Sequence, residues 1–255
     1  MTKMRNPGAG LRKDVREAIE RAWPNGVVEM AFDSDESYFF NVCPKLGAAI
    51  RRIKGAQLVH EREPQGEPVW FDHSDPEEDP PDDHERSRSY HLFFVCPEGE
   101  PFTYETEMES LAEPDEGDQG ENELPMETIA GNGRTGWSVG VSLLAPFAVI
   151  TLSDMEVFEN GSTSEPSIES HGFTETWQRI DPEAEFREFK GEQAFGILLK
   201  LRDRICDIVG RYGIGVLPEE EWRKPVPWLR ADEEVLVSTT GEPVRVLDAL
   251  FFEGS

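Results

Sequence analysis

The sequence predicts an α+β protein: a mainly antiparallel sheet of short strands packed against a few helices, with long acidic loops. Three observations lead to this prediction. Short β-branched and aromatic runs fill the region from residue 57 to residue 158. Apolar residues recur at helical spacing before residue 24 and after residue 181. The chain has 255 residues, which suits one such domain over 1–255, with a possible internal boundary in the acidic loop near 110–130.

The N-terminal region begins with a predicted helix. Leu11, Val15 and Ile19 share one helical face, and the Pro-Asn-Gly sequence at 24–26 ends the helix. Strands are expected at 27–32 and 38–42, joined by an acidic turn, and a short helix is expected at 46–53.

The central region predicts a series of strands separated by turns. The expected strands are 57–60, 69–73, 90–96, 102–107, 137–144 and 147–158. The glycines of Gly131-Asn132-Gly133 predict a turn, as does Asn160-Gly161.

The C-terminal third has helical character. Asp181 followed by Pro182 is a typical helix start, and a second, stronger apolar stripe follows Gly191 and continues to Val209. A strand at 235–237 and a helix over 244–252 complete the prediction.

Negative charge is concentrated in the middle of the chain. The formal net charge is −27, and residues 89–178 carry a single cation, Arg134. Direct binding to nucleic acid is therefore not expected, because neutralising phosphates requires clustered cations. Docking on an anionic membrane surface is disfavoured for the same reason.

Two acidic segments, residues 75–83 and 113–121, stand out as predicted surface loops. Both contain turn-forming proline or glycine and almost no apolar residues, so neither predicts a helix or an interior strand. Solubility is the simpler interpretation of each segment, and attraction of a basic partner is the alternative. The acids predicted to bind a partner are Asp75, Glu77, Glu78, Asp79, Asp82, Asp83, Glu113, Asp115, Glu116 and Asp118.

The sequence contains no recognised signature of a common enzyme class. It has no phosphate-binding loop, dinucleotide fingerprint, nucleophile elbow or HExxH zinc motif. Cys43, Cys96 and Cys206 are widely spaced, which argues against a disulfide framework or a zinc knuckle. We therefore expect no catalytic residues and no cofactor, and the absence of a signal-like start predicts a cytoplasmic protein with reduced thiols.

Histidines offer an alternative site. If strands 69–73 and 90–96 pair, His73 and His91 lie close together beside Asp72. Imidazole and carboxylate ligands suit zinc, iron or manganese, so this set predicts a metal-dependent hydrolase. Ordinary strand positions explain the same histidines without any metal.

Trp222 and Trp228 lie beside basic residues near the C-terminus, so they suit either a core or an anchor at a protein interface. Together with the acidic segments, they favour a non-enzymatic module that binds a basic protein. An immunity-type inhibitor of a toxin nuclease is the best match, because such a toxin must itself be basic. A scaffold or regulatory subunit of a larger assembly remains a further alternative, and the oligomeric state is left open.

Overall fold

The structure is a computed structural model that describes residues 10–28, 36–62, 89–111, 126–164, 166–168, 181–231, 235–236 and 243–254. Its helices are α1 (Lys13–Ala22), α2 (Glu36–Ile50), α3 (Pro182–Lys190), α4 (Glu192–Arg211), α5 (Glu219–Trp222) and α6 (Val246–Leu250). The strands are β1 (Val27–Val28), β2 (Ala56–Arg62), β3 (Tyr90–Pro97), β4 (Thr103–Leu111), β5 (Met126–Ser142), β6 (Phe147–Phe158), β7 (Thr163–Ser164), β8 (Gly215–Val216), β9 (Arg230–Ala231), β10 (Val235–Leu236) and β11 (Glu253–Gly254). None of the helices within these ranges is long and apolar enough to cross a bilayer.

One large sheet organises the molecule, which confirms the predicted α+β class. Its strand order is β2-β3-β5-β6-β7, with β4 also paired to β5 and β8 also paired to β6. Every pairing in this sheet is antiparallel except that of β6 with β8. Along one edge of β5, β3 lies opposite Trp137–Ser142 and β4 lies opposite Met126–Arg134. The strands β3 and β4 therefore lie end to end along this edge.

Helices cover the two faces of this sheet with separate cores. On the face that we call the α4 face, Trp137 is fully buried against α4 and its indole Nε1 donates a hydrogen bond to the carbonyl of Leu198, 2.8 Å away. The opposite face, the α1 face, packs Tyr90 and Leu92 against α1 and α6. Because side chains alternate along a strand, β3 and β5 supply both cores at once.

The C-terminal helices follow the predicted signals. The Asp181 side chain accepts hydrogen bonds from the backbone amides of Glu183 and Ala184, at 3.1 and 3.3 Å, which is the expected cap of α3. Gly191 then serves as C-cap of α3 and N-cap of α4, with a φ of 85°. That left-handed conformation favours glycine because a Cβ would clash with the backbone.

The predicted strand at 38–42 is wrong, because these residues belong to the first half of α2. Their aromatic and β-branched side chains favour strands locally. They lead, however, into Cys43, Leu46 and Ile50, which are buried on one helical face, and tertiary packing of that face outweighs local propensity. Cys43 accordingly lies inside a helix and not at a strand end.

The predicted turn at Gly131-Asn132-Gly133 is also wrong, because all three residues lie within β5. A Cβ at Gly133 would lie inside the ring of Tyr104 on β4, and a Cβ at Gly131 would approach Phe158 Cδ1 on β6 to 2.6 Å. The two aromatic rings therefore occupy the space that side chains of β5 would otherwise fill. Aromatic cover of a strand glycine replaces the packing that glycine lacks.

We expect the Gly133→Ala substitution to lower the free energy of unfolding by about 2–3 kcal/mol, because the new methyl group must displace the Tyr104 ring. The matched control is Gly196→Ala in α4, where nothing lies within 4 Å of the new Cβ. This control should raise the free energy of unfolding by about 0.5–1 kcal/mol through helix propensity. Chemical denaturation of both variants measures the difference, and equal effects would contradict the role of Tyr104.

Candidate functional site

The predicted acidic loops lie outside the described residues. Asp72 and His73 fall in 63–88, together with Asp75, Glu77, Glu78, Asp79, Asp82 and Asp83. Glu113, Asp115, Glu116 and Asp118 fall in 112–125. Their part in binding therefore stays a prediction.

The strands that flank these two segments nevertheless show where each segment is attached. Residues 63–88 follow Arg62 of β2 and precede Ser89, whose carbonyl accepts a hydrogen bond from the Leu143 amide just beyond β5. Residues 112–125 join Leu111 to Met126, at the beginning of β5. The attachment points thus lie at opposite ends of β5, roughly 50 Å apart along an extended strand of this length.

The two tryptophans differ in exposure. Trp222 is only 4% exposed and belongs to the core on the α1 face, so it is not an accessible anchor for a partner. Burial of its large apolar area within the chain itself explains this correction. Trp228 is partly buried against the same core, and the guanidinium carbon of Arg16 lies 5.4 Å from its ring centroid.

His91 lies in the sheet interior. It is 1% exposed, and its Nε2 lies 3.2 Å from Oε1 of Glu61, whose other carboxylate oxygen pairs with Arg51. Burial lowers the pKa of His91 to about 4, and the positive charge of Arg51 acts in the same direction. At neutral pH the imidazole is therefore uncharged.

The predicted pairing of strands 69–73 and 90–96 is wrong for the central part of β3, whereas the proximity of His73, which lies outside the described residues, to His91 stays a prediction. From Leu92 to Val95, β3 pairs with β2 on one edge and with β5 on the other, so a further strand has no edge to join. Within the described ranges, no group of three or more histidine, cysteine or acidic side chains is arranged to hold a metal ion.

An acidic surface does form on a part of the sheet that sequence reasoning did not single out. Glu105, Glu107 and Glu109 are exposed at alternating positions of β4, so they share the side of the sheet that continues the α1 face. β4 and the part of β5 paired with it form a two-stranded ribbon. Glu159 follows β6, and its amide donates a hydrogen bond to the carbonyl of Ala130, which places Glu159 beside this ribbon. We call these four glutamates the acidic ribbon face.

Apolar side chains lie beside the acidic ribbon face. Val157 is 45% exposed and Met126 is 58% exposed. Val157 and Met155 also line a depression of about 590 Å³ together with Arg134, whose Nη1 donates a hydrogen bond to Oε1 of Gln57, 3.0 Å away. An apolar centre with a charged margin is the usual composition of a protein-binding surface.

The acidic ribbon face also has a simpler explanation. In the described part of the chain β4 pairs only with β5, and charged side chains on such an edge strand discourage pairing with other molecules. The alternation of Glu with Thr, Tyr and Met over 103–109 is visible in the sequence and marks a strand with one acidic side. The sequence prediction assigns the acidic binding residues to loops and includes none from this strand.

Acidification should destabilise the fold through His91. Unfolded histidine takes up a proton below its ordinary pKa of 6.5, whereas folded His91 stays neutral down to about 4, so its contribution to stability is lost as the pH falls between these values. We expect this group to lower the free energy of unfolding by about 2 kcal/mol between pH 7 and pH 5.

The check is chemical denaturation at both pH values for the wild-type protein and for His91→Gln, which keeps a donor but does not titrate. The variant should lose about 2 kcal/mol less than the wild type on acidification. Identical pH dependence of the two proteins would show that folding does not lower the pKa of His91.

Comparisons with protein-family models, with curated proteins and with solved structures find no match to this chain. The chemistry of the site therefore has to be inferred from its own side chains.

Proposed function

We propose that this protein is a non-enzymatic binding module that engages a basic protein through the acidic ribbon face. The observation that carries this proposal is the alignment of Glu105, Glu107 and Glu109 on one side of β4. Repulsion between these neighbouring carboxylates raises the free energy of the unbound protein. Cations of a bound partner would reduce this repulsion.

The ion pairs of the described residues support the same assignment. Arginine and lysine side chains on the helices are extensively paired, as in Arg16 with Glu20 and Arg202 with Glu183. None of the ribbon glutamates, 105, 107, 109 and 159, forms a salt bridge within the described ranges. Their charges are therefore available to an approaching cationic surface.

Long-range attraction adds to this local contact. Residues 112–125 carry six acidic and no basic side chains and are joined to the end of the β4–β5 ribbon. A concentration of one charge sign accelerates encounter with an oppositely charged protein, and salt screens the effect.

An immunity-type role is the specific form of the proposal. A toxin nuclease needs a basic surface to hold nucleic acid, and an acidic inhibitor that covers this surface both associates rapidly and blocks substrate. Glu105, Glu107 and Glu109 would pair with lysine and arginine of the toxin, while exposed Val157 and Met126 contribute apolar contact.

The experiment first identifies the partner by affinity purification from the source cell and then measures association with the purified partner. The combined variant Glu105→Gln, Glu107→Gln, Glu109→Gln should lower the association rate constant about tenfold at low salt. It should also weaken the dependence of that rate on salt, and the protein should inhibit the partner's nuclease activity.

The matched control removes three other exposed acids, with Glu188→Gln, Asp203→Asn and Glu220→Gln. Its net charge equals that of the ribbon variant, so a general charge effect would slow both proteins equally. Equal slowing would contradict a defined docking surface, and a partner without a basic surface would contradict the proposed function altogether.

A further inference from the structure

A cleft between α3 and the α4 face of the sheet has a different chemistry from the ribbon. It encloses about 610 Å³, which is within the range of ligand-binding cavities. Phe186 and Leu152 form apolar walls, and Tyr104, Asp154 and Glu185 contribute polar groups. We call this site the α3 cleft.

Phe189 makes the α3 cleft unusual. It lines the opening and is 75% exposed, whereas Phe186, three residues earlier, is 8% exposed and stacks on Phe102 with ring centroids 6.1 Å apart. A large aromatic ring left in water gives up the stabilisation that burial would provide. Such a ring beside a cavity is typical of a surface that a ligand covers.

Asp154 and Glu185 line the same opening, and Glu156 lies nearby through its hydrogen bond with Tyr104. Asp154 accepts a hydrogen bond from the Thr135 hydroxyl, 2.5 Å away, and Glu156 accepts one from the Tyr104 hydroxyl, 3.2 Å away. Asp154, Glu156 and Glu185 form no salt bridge within the described ranges.

The charge balance of the α3 cleft is negative. Among the described lining residues, Lys190 is the only cation, against Asp154 and Glu185. Partial loss of water raises the pKa of Asp154, the Thr135 hydrogen bond opposes this rise, and the charges of Glu156 and Glu185 add to it. A ligand cation would relieve this repulsion.

The protein itself shows which cation suits a ring beside a carboxylate. In the described residues, five arginines lie over aromatic rings, with guanidinium carbon to centroid distances between 4.3 and 5.9 Å. The pairs are Arg12 on Phe147, Arg16 on Trp228, Arg187 on Phe195, Arg202 on Trp137 and Arg223 on Trp222.

Every one of these five arginines also forms an ion pair with a nearby acid. The acids are, in the same order, Asp14, Glu20, Glu192, Glu183 and Glu219, at 2.5 to 3.4 Å. Arginine is suited to this arrangement because its planar guanidinium stacks on a ring while its N–H groups reach a carboxylate.

We propose that the α3 cleft binds the guanidinium group of an arginine side chain supplied by a protein partner. Phe189 provides the ring and Asp154 the carboxylate, with Glu185 at the margin. The identity of the donor as a basic protein rests on the proposed function, whereas guanidinium recognition rests on the cleft alone. Tyr104, which lines the cleft, and neighbouring Glu105 of the acidic ribbon face lie on opposite sides of β4, so a partner that contacts both surfaces has to extend around this strand.

The test uses peptide probes, so it does not require the natural partner. Acetyl-Gly-Arg-Gly-amide is titrated into the ¹⁵N-labelled full chain and followed by amide chemical shifts. We expect shifts at Phe189 and Asp154 and millimolar affinity. The citrulline peptide, which has the same shape without the charge, should bind at least about tenfold more weakly. The lysine peptide should bind about threefold more weakly, because it cannot stack.

Two variants locate the site. Asp154→Asn should weaken arginine-peptide binding about fivefold and Phe189→Leu about threefold. Phe189 is largely exposed, and an asparagine side chain at position 154 can still accept the Thr135 hydrogen bond, so both variants should stay folded. Glu188→Gln, on the same helix but outside the cleft lining, is the matched control and should leave the affinity unchanged.

Equal binding of arginine and citrulline peptides, shifts confined to other regions, or unchanged affinity in both cleft variants would each overturn the proposal. Equal binding of the lysine peptide would overturn guanidinium recognition. The outcome is separate from that of the proposed function: a chain that binds the arginine peptide in the cleft but associates with no basic protein keeps the first conclusion and loses the second.

Discussion

The backbone hydrogen bonds of β5 are the interaction on which the rest of the structure depends. This strand pairs with β3 and β4 along one edge and with β6 along the other. Its side chains reach both faces, since Trp137 lies under α4 while the Ser142 hydroxyl donates a hydrogen bond to the carbonyl of Leu250 in the core on the α1 face. A residue that forced β5 out of the extended conformation would therefore disturb three pairings and two cores together.

Much of the fold could be predicted where local pattern and tertiary packing agree. The run at 90–96 and the long run at 147–158 are strands in the structure, and the stripe ending at Val209 is a helix. Prediction was wrong where distant residues decide the conformation. Tyr104 and Phe158 cover two glycines that otherwise favour a turn, and packing of Leu46 and Ile50 draws residues 38–42 into a helix.

Less of the candidate site could be predicted, because a site depends on which side chains remain exposed. Trp222 and Phe189 are both aromatic residues near charged neighbours, yet the first is 4% exposed and the second 75%. Sequence alone does not distinguish them. The acidic side of β4 could be predicted from the alternation of glutamates in the sequence. The position of Asp154 close to α3 could not, because it depends on how that helix crosses the sheet.

Gly191 joins α3 to α4 without an intervening loop. A single residue ends α3 and begins α4, its amide donates to the Arg187 carbonyl, and its own carbonyl accepts from the Phe195 amide. Apart from its two chain neighbours, no described atom lies within 4 Å of where its Cβ would be, so the angle between the two helices is set by the backbone of Gly191 together with contacts between the helices, such as the ion pair of Arg202 with Glu183. Since α4 is packed in the core and α3 carries Phe189, the angle at which the chain turns at Gly191 contributes to the position of Phe189 at the cleft, although Gly191 does not line the cleft.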